Sequence, residues 1–237
     1  MMSEFKFKKF TINQDNCAMK IGTDGILLGS WTRLDHHPFS ILDIGAGTGV
    51  LSLMMAQRSQ AGMIDAIEID DNAYEQCVDN FEQAPWSDRL FCYHASLLEF
   101  ADEIEDTYDL IICNPPFYSE DYKSDNKQRD LARFQDAMPF EHLVACVSKL
   151  LSEKGVFSVI IPFKEEAGFV DLALKHKLFQ NRTLHVKGNT NSDIKRSLME
   201  FSFTKKPLVT ETLIIETSRH RYTQEYINLT NDFYLNM

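Results

Sequence analysis

The chain has 237 residues, enough to bury one substantial core and too few for two ordinary domains to be the default. Hydrophobic residues make up 44% and charged residues 25%, and no segment is long and apolar enough to cross a bilayer as a helix. The formal charge of −11 excludes a protein that holds nucleic acid by global electrostatics, so any polyanion must meet a local basic patch.

Residues 1–10 interleave Lys with Phe and lack an apolar run followed by a small-residue cleavage site, so no secretory signal is read and the cytoplasm is the expected location. Lys6, Lys8 and Lys9 fit the exposed face of an edge strand. Residues 20–31 read as a loop entering a short helix, with Thr23 or Asp24 as its cap. The alternative is a segment that closes over a ligand, with Asp24 near an amino group. From residue 39 onward, short β-branched runs alternate with amphipathic ones, the pattern of a parallel sheet with crossover helices. Strands are predicted at 41–44, 63–68, 89–93, 108–113 and 155–161, and helices at 48–58, 71–83 and roughly 132–151. Beyond Pro162 come a helix at 164–177, a strand near 183–186, a polar turn at 187–193 and a strand at 197–204. Two strands without an intervening helix imply an antiparallel hairpin at the end of the sheet. In the tail, 211–237, residues 223–230 read as a helix packed through Tyr226, Leu229 and Phe233. Cys17, Cys77, Cys92, Cys113 and Cys146 are odd in number and widely spaced, which reads as buried reduced thiols; the histidines show no ligand spacing, and no metal is assigned.

Asp43-Ile44-Gly45-Ala46-Gly47-Thr48-Gly49 leaves one strand and opens a helix, where glycines permit a tight turn and let backbone N–H groups approach a ligand. The next strand ends at Glu68, an acid able to accept both hydroxyl hydrogens of a ribose. The pair suits NAD and S-adenosylmethionine alike. Gly-x-Gly-x-Gly spacing, a closing hairpin and a substrate motif after the fourth strand favour S-adenosylmethionine. That motif is Asn114-Pro115-Pro116-Phe117. Asn114 Oδ1 and the Pro115 carbonyl are suited to accept both hydrogens of a base amino group, which localises the lone pair on nitrogen. The two prolines stiffen the turn, and Phe117 can stack on a base turned out of its neighbours. Lys123, Lys127, Arg129 and Arg133, with Tyr118 and Tyr122, and then Lys187, Lys195 and Arg196 near the hairpin, are candidate contacts to RNA. Acids interleave both groups, so a solvated mixed face is the alternative.

Together, the segment Gly22-Thr23-Asp24-Gly25-Ile26-Leu27-Leu28-Gly29, the glycine turn, Asn114-Pro115-Pro116-Phe117 and the closing hairpin resemble bacterial tRNA1(Val) (adenine-N6)-methyltransferases over nearly the whole chain. The resemblance implies an α/β class I Rossmann-like methyltransferase: a mostly parallel seven-stranded sheet ending in an antiparallel hairpin, with helices on both faces. It would be one domain, with 1–38 as a lid over the cofactor, 39–206 as the core and 207–237 as a C-terminal extension. The implied reaction is S-adenosylmethionine-dependent N6-methylation of the adenosine 3′ of the anticodon, with tRNA as partner and no membrane, metal or obligate protein partner. Asn114, Pro115, Pro116 and Phe117 take the catalytic role. Thr23, Asp24, Asp43, Gly45, Gly47, Gly49, Glu68, Ser96 and Asn114 take the cofactor. One departure is that His94-Ala95-Ser96-Leu97 stands where many relatives have an acid for the cofactor's adenine amine, leaving Ser96 or a backbone carbonyl as acceptor. Rival readings are an rRNA guanine-N2 or DNA adenine-N6 methyltransferase, and a non-catalytic S-adenosylmethionine-binding RNA chaperone, for which paired acceptors on an amine would be needless.

Overall fold

A computed structural model describes residues 4–17, 19–116 and 138–236. Two short strands, β1 (Glu4–Lys6) and β2 (Thr11–Asn13), form a separate antiparallel pair, followed by α1 (Thr23–Trp31). The alternating part comprises β3 (Ser40–Ile44), α2 (Val50–Arg58), β4 (Met63–Glu68), α3 (Asp71–Glu82), β5 (Leu90–His94), α4 (Leu97–Glu103) and β6 (Tyr108–Cys113). It continues with α5 (Phe140–Leu150), β7 (Leu151–Pro162), α6 (Glu166–Lys175), β8 (Phe179–Asn189) and β9 (Ile194–Ser202). The chain then runs through β10 (Val209–Ser218), β11 (Arg221–Tyr222) and α7 (Gln224–Thr230).

Nine strands form the main sheet in the order β11-β10-β8-β9-β7-β6-β3-β4-β5. From β5 to β7 all neighbours are parallel, while β9 runs antiparallel to both β7 and β8. These are the seven strands expected of a class I methyltransferase sheet, hairpin included. The sheet does not stop there, because β10 adds parallel to β8 and β11 folds back on it, in a stretch where the sequence predicted no strand.

Side chains of successive strand residues point to opposite faces, so uninterrupted apolar runs fill two cores at once. Ile41, Leu110, Ile112 and Ile160 face the core under α1, α2, α3 and α7. Leu42, Ile44, Ile111, Cys113, Val159 and Ile161 face the core under α4, α5 and α6. The result is a sheet between two helical layers. Among the described residues, no helix is long and apolar enough to cross a membrane.

The helix expected from about 132 begins instead at Phe140; Pro139, with fixed φ and no N–H, stands at its cap, and residues 132–137 lie outside the described residues. At the N-terminus, Phe7 and Phe10 are buried and Lys8 and Lys9 exposed, but these residues belong to the small sheet's turn rather than to an edge of the main sheet. Phe7 stacks on Phe10 at 4.5 Å and meets Phe233 edge-on, and its backbone bridges to Tyr234. The Lys8 N–H donates to the Phe233 carbonyl at 2.9 Å, so the first and last described segments are joined.

Candidate functional site

Strand register brings the site together before any side chain is considered. Ile44 pairs with Cys113 and with Ile67, and Ile67 pairs with Tyr93, so Gly45, Asn114, Glu68 and His94 leave the sheet at one carboxyl edge. In an open α/β sheet the loops at this edge are where ligands bind.

The glycine turn has φ of 72° at Gly45, 55° at Gly47 and 78° at Gly49, a conformation that residues with a Cβ rarely adopt. Gly49 serves packing as well, since a Cβ there would stand 2.6 Å from Phe81 and 2.9 Å from the Cys77 thiol of α3. Gly45 and Gly47 have nothing within 4 Å of a Cβ position, so their open faces can admit a ligand to the backbone at the start of α2. Glu68 ties the turn to its own strand end: Oε2 accepts from Gly47 N–H at 2.7 Å, and Oε1 from Ile69 and Asp70 N–H at 2.8 and 3.0 Å. A carboxylate held by three backbone donors is fixed in direction. Beside it Ile69 is 56% exposed, an apolar face that a planar ring could cover. An apolar residue directly after the acid that ends β4 was a readable signal, and the sequence reading passed over it.

Asp43 lies fully buried under the turn. Its Oδ2 accepts from Ser52 N–H at 3.0 Å and Ser52 Oγ at 2.8 Å, while Oδ1 has no partner. Burial pushes its pKa up to about 7, against the two Ser52 bonds, and the charge of Glu68 adds to the rise. The segment around β2 closes over this region. Asn80 of α3 exchanges bonds with the Asn13 backbone and donates to the Thr48 carbonyl at 2.9 Å, and Asn16 N–H donates to Gln76 Oε1 at 3.3 Å. Cys17, buried in the same segment, has its thiol pushed up to about 11, first by burial and then by Glu68. Cys17 thus lies near enough to the acid that ends β4 to feel its charge, a long-range neighbourhood with no signature in sequence.

Asn114 is half-buried and Pro115 buried, directly after β6. The Asn114 amide approaches α1 where Gly25 leaves room, 3.9 Å from a Cβ built there. The cap of α1 is Gly22, rather than Thr23 or Asp24, and it makes no side-chain bond. Asp24 is otherwise engaged: its Oδ2 accepts from Arg196 Nε of β9 at 2.8 Å. Thr23 and Lys195 are exposed. Ser96 caps α4, accepting from Glu99 N–H at 3.2 Å and donating to Glu99 Oε2 at 2.7 Å. Phe117, Tyr118, Tyr122, Lys123, Lys127, Arg129 and Arg133 lie outside the described residues. Among the described residues, no three His, Cys, Asp or Glu side chains gather as a cation site.

The donor set fits an adenosyl cofactor on its own chemistry. An open glycine turn lets a ligand come close to the backbone, a fixed carboxylate able to accept from hydroxyl groups stands at the end of the neighbouring strand, and an apolar side chain stands next to it. Asn114 sits at the same edge, where an acceptor on a second reactant is needed.

Comparison with known proteins accords with this geometry. Residues 24–138 match the family model of the Methyltransferase small domain. The chain is 60% identical over 233 residues to a tRNA1(Val) (adenine(37)-N6)-methyltransferase of Flavobacterium psychrophilum, covering 98% of this chain and all of that one. It is 42% identical to the protein of the same name from Bacteroides fragilis, over 98% of both chains. In fold it is similar to an Agrobacterium tumefaciens protein described as a predicted O-methyltransferase, with TM-score 0.70, 19% identity and coverage of 89% and 96%. It is also similar to a ribosomal protein L11 methylase of Lactobacillus delbrueckii, with TM-score 0.53, 15% identity and coverage of 74% and 76%.

Proposed function

The chain belongs to the tRNA1(Val) (adenine(37)-N6)-methyltransferase family, and from that premise we propose that it methylates N6 of adenosine 37 in tRNA1(Val), using S-adenosylmethionine, in the cytoplasm. The observation that carries the reading is the meeting of Asn114, the glycine turn and Glu68 at one edge of the sheet.

S-adenosylmethionine, when bound, supplies an electrophilic methyl group on a sulfonium. Gly45 and Gly47 with the N-terminus of α2 would cradle it, Glu68 would accept from its ribose hydroxyls, and Ile69 would cover one face of its adenine. Asp43 holds the turn in place through Ser52. The adenine end is left to the backbone around Ala95 and Ser96, and the segment 1–38 acts as the lid, through the bonds of Asn13 and Asn16 to α3.

Asn114 Oδ1 and the Pro115 carbonyl accept the two hydrogens of the target amine. That withdraws the nitrogen lone pair from the ring and aims it at the methyl group. The proton would leave the nitrogen late, so the chain need not supply a strong general base beside Asn114. Phe117 is assigned the stacking face for the extruded base. Contacts to the tRNA are assigned to Tyr118, Lys123, Lys127, Arg129, Arg133, Lys195 and Arg196.

The test is methylation of total RNA from a strain lacking the gene, read by mass spectrometry of nucleosides and of the RNA that carries them. N6-methyladenosine at position 37 of tRNA1(Val) is the expected product, and N2-methylguanosine in ribosomal RNA would overturn the substrate. Asn114→Ala is expected to lower turnover about 10²–10³-fold while calorimetry finds cofactor affinity intact. Glu68→Ala should weaken that affinity by about 1–3 kcal/mol. Retained turnover in the first variant, or unchanged affinity in the second, removes the corresponding role.

A further inference from the structure

β10 runs on past the edge at which the site lies. Cys113 pairs with Val159, so Asn114 stands level with Ile160 and, through Leu198 and Leu184, with Glu211. Ile215 and Glu216 are four and five residues further along β10, which points the same way as β6. At about 3.3 Å per residue, the end of β10 rises well above the level of Asn114 on the flank of the site.

Between this end, β1 and α7 opens a cleft of about 500 Å³, room for one nucleoside. Rings of Phe5, Tyr222, Tyr226 and Tyr234 line it, with Lys6 and Glu216 supplying charge. Tyr222 and Tyr226 have ring centroids 5.1 Å apart, and Tyr222 is 41% exposed, so one of its faces is free to take a partner. Thr23 lines the same cleft, and two residues later Gly25 is the position against which the Asn114 amide lies. Cleft and reactive loop therefore flank one helical turn of α1.

Flat aromatic walls beside an ammonium suit a nucleobase with its phosphate better than an aliphatic ligand, and the Glu216 carboxylate can accept from N–H groups of a base but not from its phosphate. A body of net charge −11 also needs a means of holding RNA beyond phosphate attraction, and stacking provides one. We propose that this cleft is a second nucleotide subsite, which receives an unstacked base flanking the one presented to Asn114, stacks it on Tyr222 and places its phosphate at Lys6. The proposal rests on the RNA-methylating reading above and adds to it a residue set that selects for an open, splayed loop rather than a stacked helix.

The experiment is steady-state methylation of tRNA assembled by ligation, with each nucleotide flanking the target either intact or abasic. The wild-type protein is compared with Tyr222→Ala and Tyr222→Phe. Tyr222→Ala should raise the RNA KM by about five- to a hundredfold, as for loss of one base-on-aromatic contact, and leave the cofactor KM unchanged. Tyr222→Phe should restore most of the loss, because it keeps the ring. Removing the base at one flanking position should cost the wild-type protein a similar factor and cost Tyr222→Ala nothing further. Independent, multiplying effects at both flanking positions, or a wild-type RNA KM in Tyr222→Ala, would overturn the subsite alone. A wild-type protein inactive on every RNA would instead remove the reaction, and the subsite with it.

Discussion

Gly45 and Gly49 share a left-handed backbone but answer to different constraints. At Gly49, strain adds to collision with Phe81 and Cys77, whereas at Gly45 only the strain applies. Gly49→Ala should therefore cost about 2–4 kcal/mol in a urea titration and Gly45→Ala about 1–2. Gly45→Ala should nonetheless fold and still lose cofactor affinity, because its new methyl occupies the open face of the cradle. Equal stability losses would mean that the packing of α3 against Gly49 contributes nothing. The motif's three glycines were legible from spacing alone, but the division of labour among them was not. It depends on Phe81, 32 residues away, and on which turn residue faces open space.

Secondary elements were legible to the extent that their residues pattern locally. Strands β4 and β6 have the predicted bounds, because each is a short run dominated by apolar residues and buried on both faces, with one acid, Asp65 or Asp109, inside it. β10 was missed because, of its ten residues, only Leu213 is buried, and a run such as Val209-Thr210-Glu211-Thr212 carries no core signal. α4 was missed for the opposite reason: Ser96 and Glu99 spell a capping box, but Ser96 was read for ligand chemistry instead. Ser96→Ala should then cost about 1 kcal/mol of stability and leave cofactor affinity unchanged. A matching fall in affinity by calorimetry would return the hydroxyl to the adenine. The pairing of Asp24 with Arg196 spans 172 residues and crosses from α1 to β9, so no local pattern could announce it.

Across the whole molecule, one cluster binds the added strands to the core. Arg182 of β8 lies 4.1 Å over the Trp31 ring at the end of α1, donates to the Trp31 carbonyl at 3.1 Å, and pairs with Glu200 of β9 and Glu211 of β10. Burial lowers the Arg182 pKa and raises that of Glu200, so each charge depends on the other to remain buried. Arg182→Ala, which leaves the buried Glu200 carboxylate without its ion-pair partner and with the Arg33 N–H bond, should cost about 3–5 kcal/mol in urea unfolding. Arg182→Lys should recover only part of that, lacking the planar fork and the ring contact. A loss below 1 kcal/mol would show the cluster to be incidental. The joined chain ends have a consequence for how the protein comes into being. Phe7 leaves the ribosome 226 residues before Phe233, the side chain it packs against, an interval of about 10–45 s at ordinary elongation rates. Throughout that time Phe7 has Phe10 to stack on but lacks its partner from the far end of the chain, and the cleft flanked by β1 and α7 does not exist until translation has almost finished.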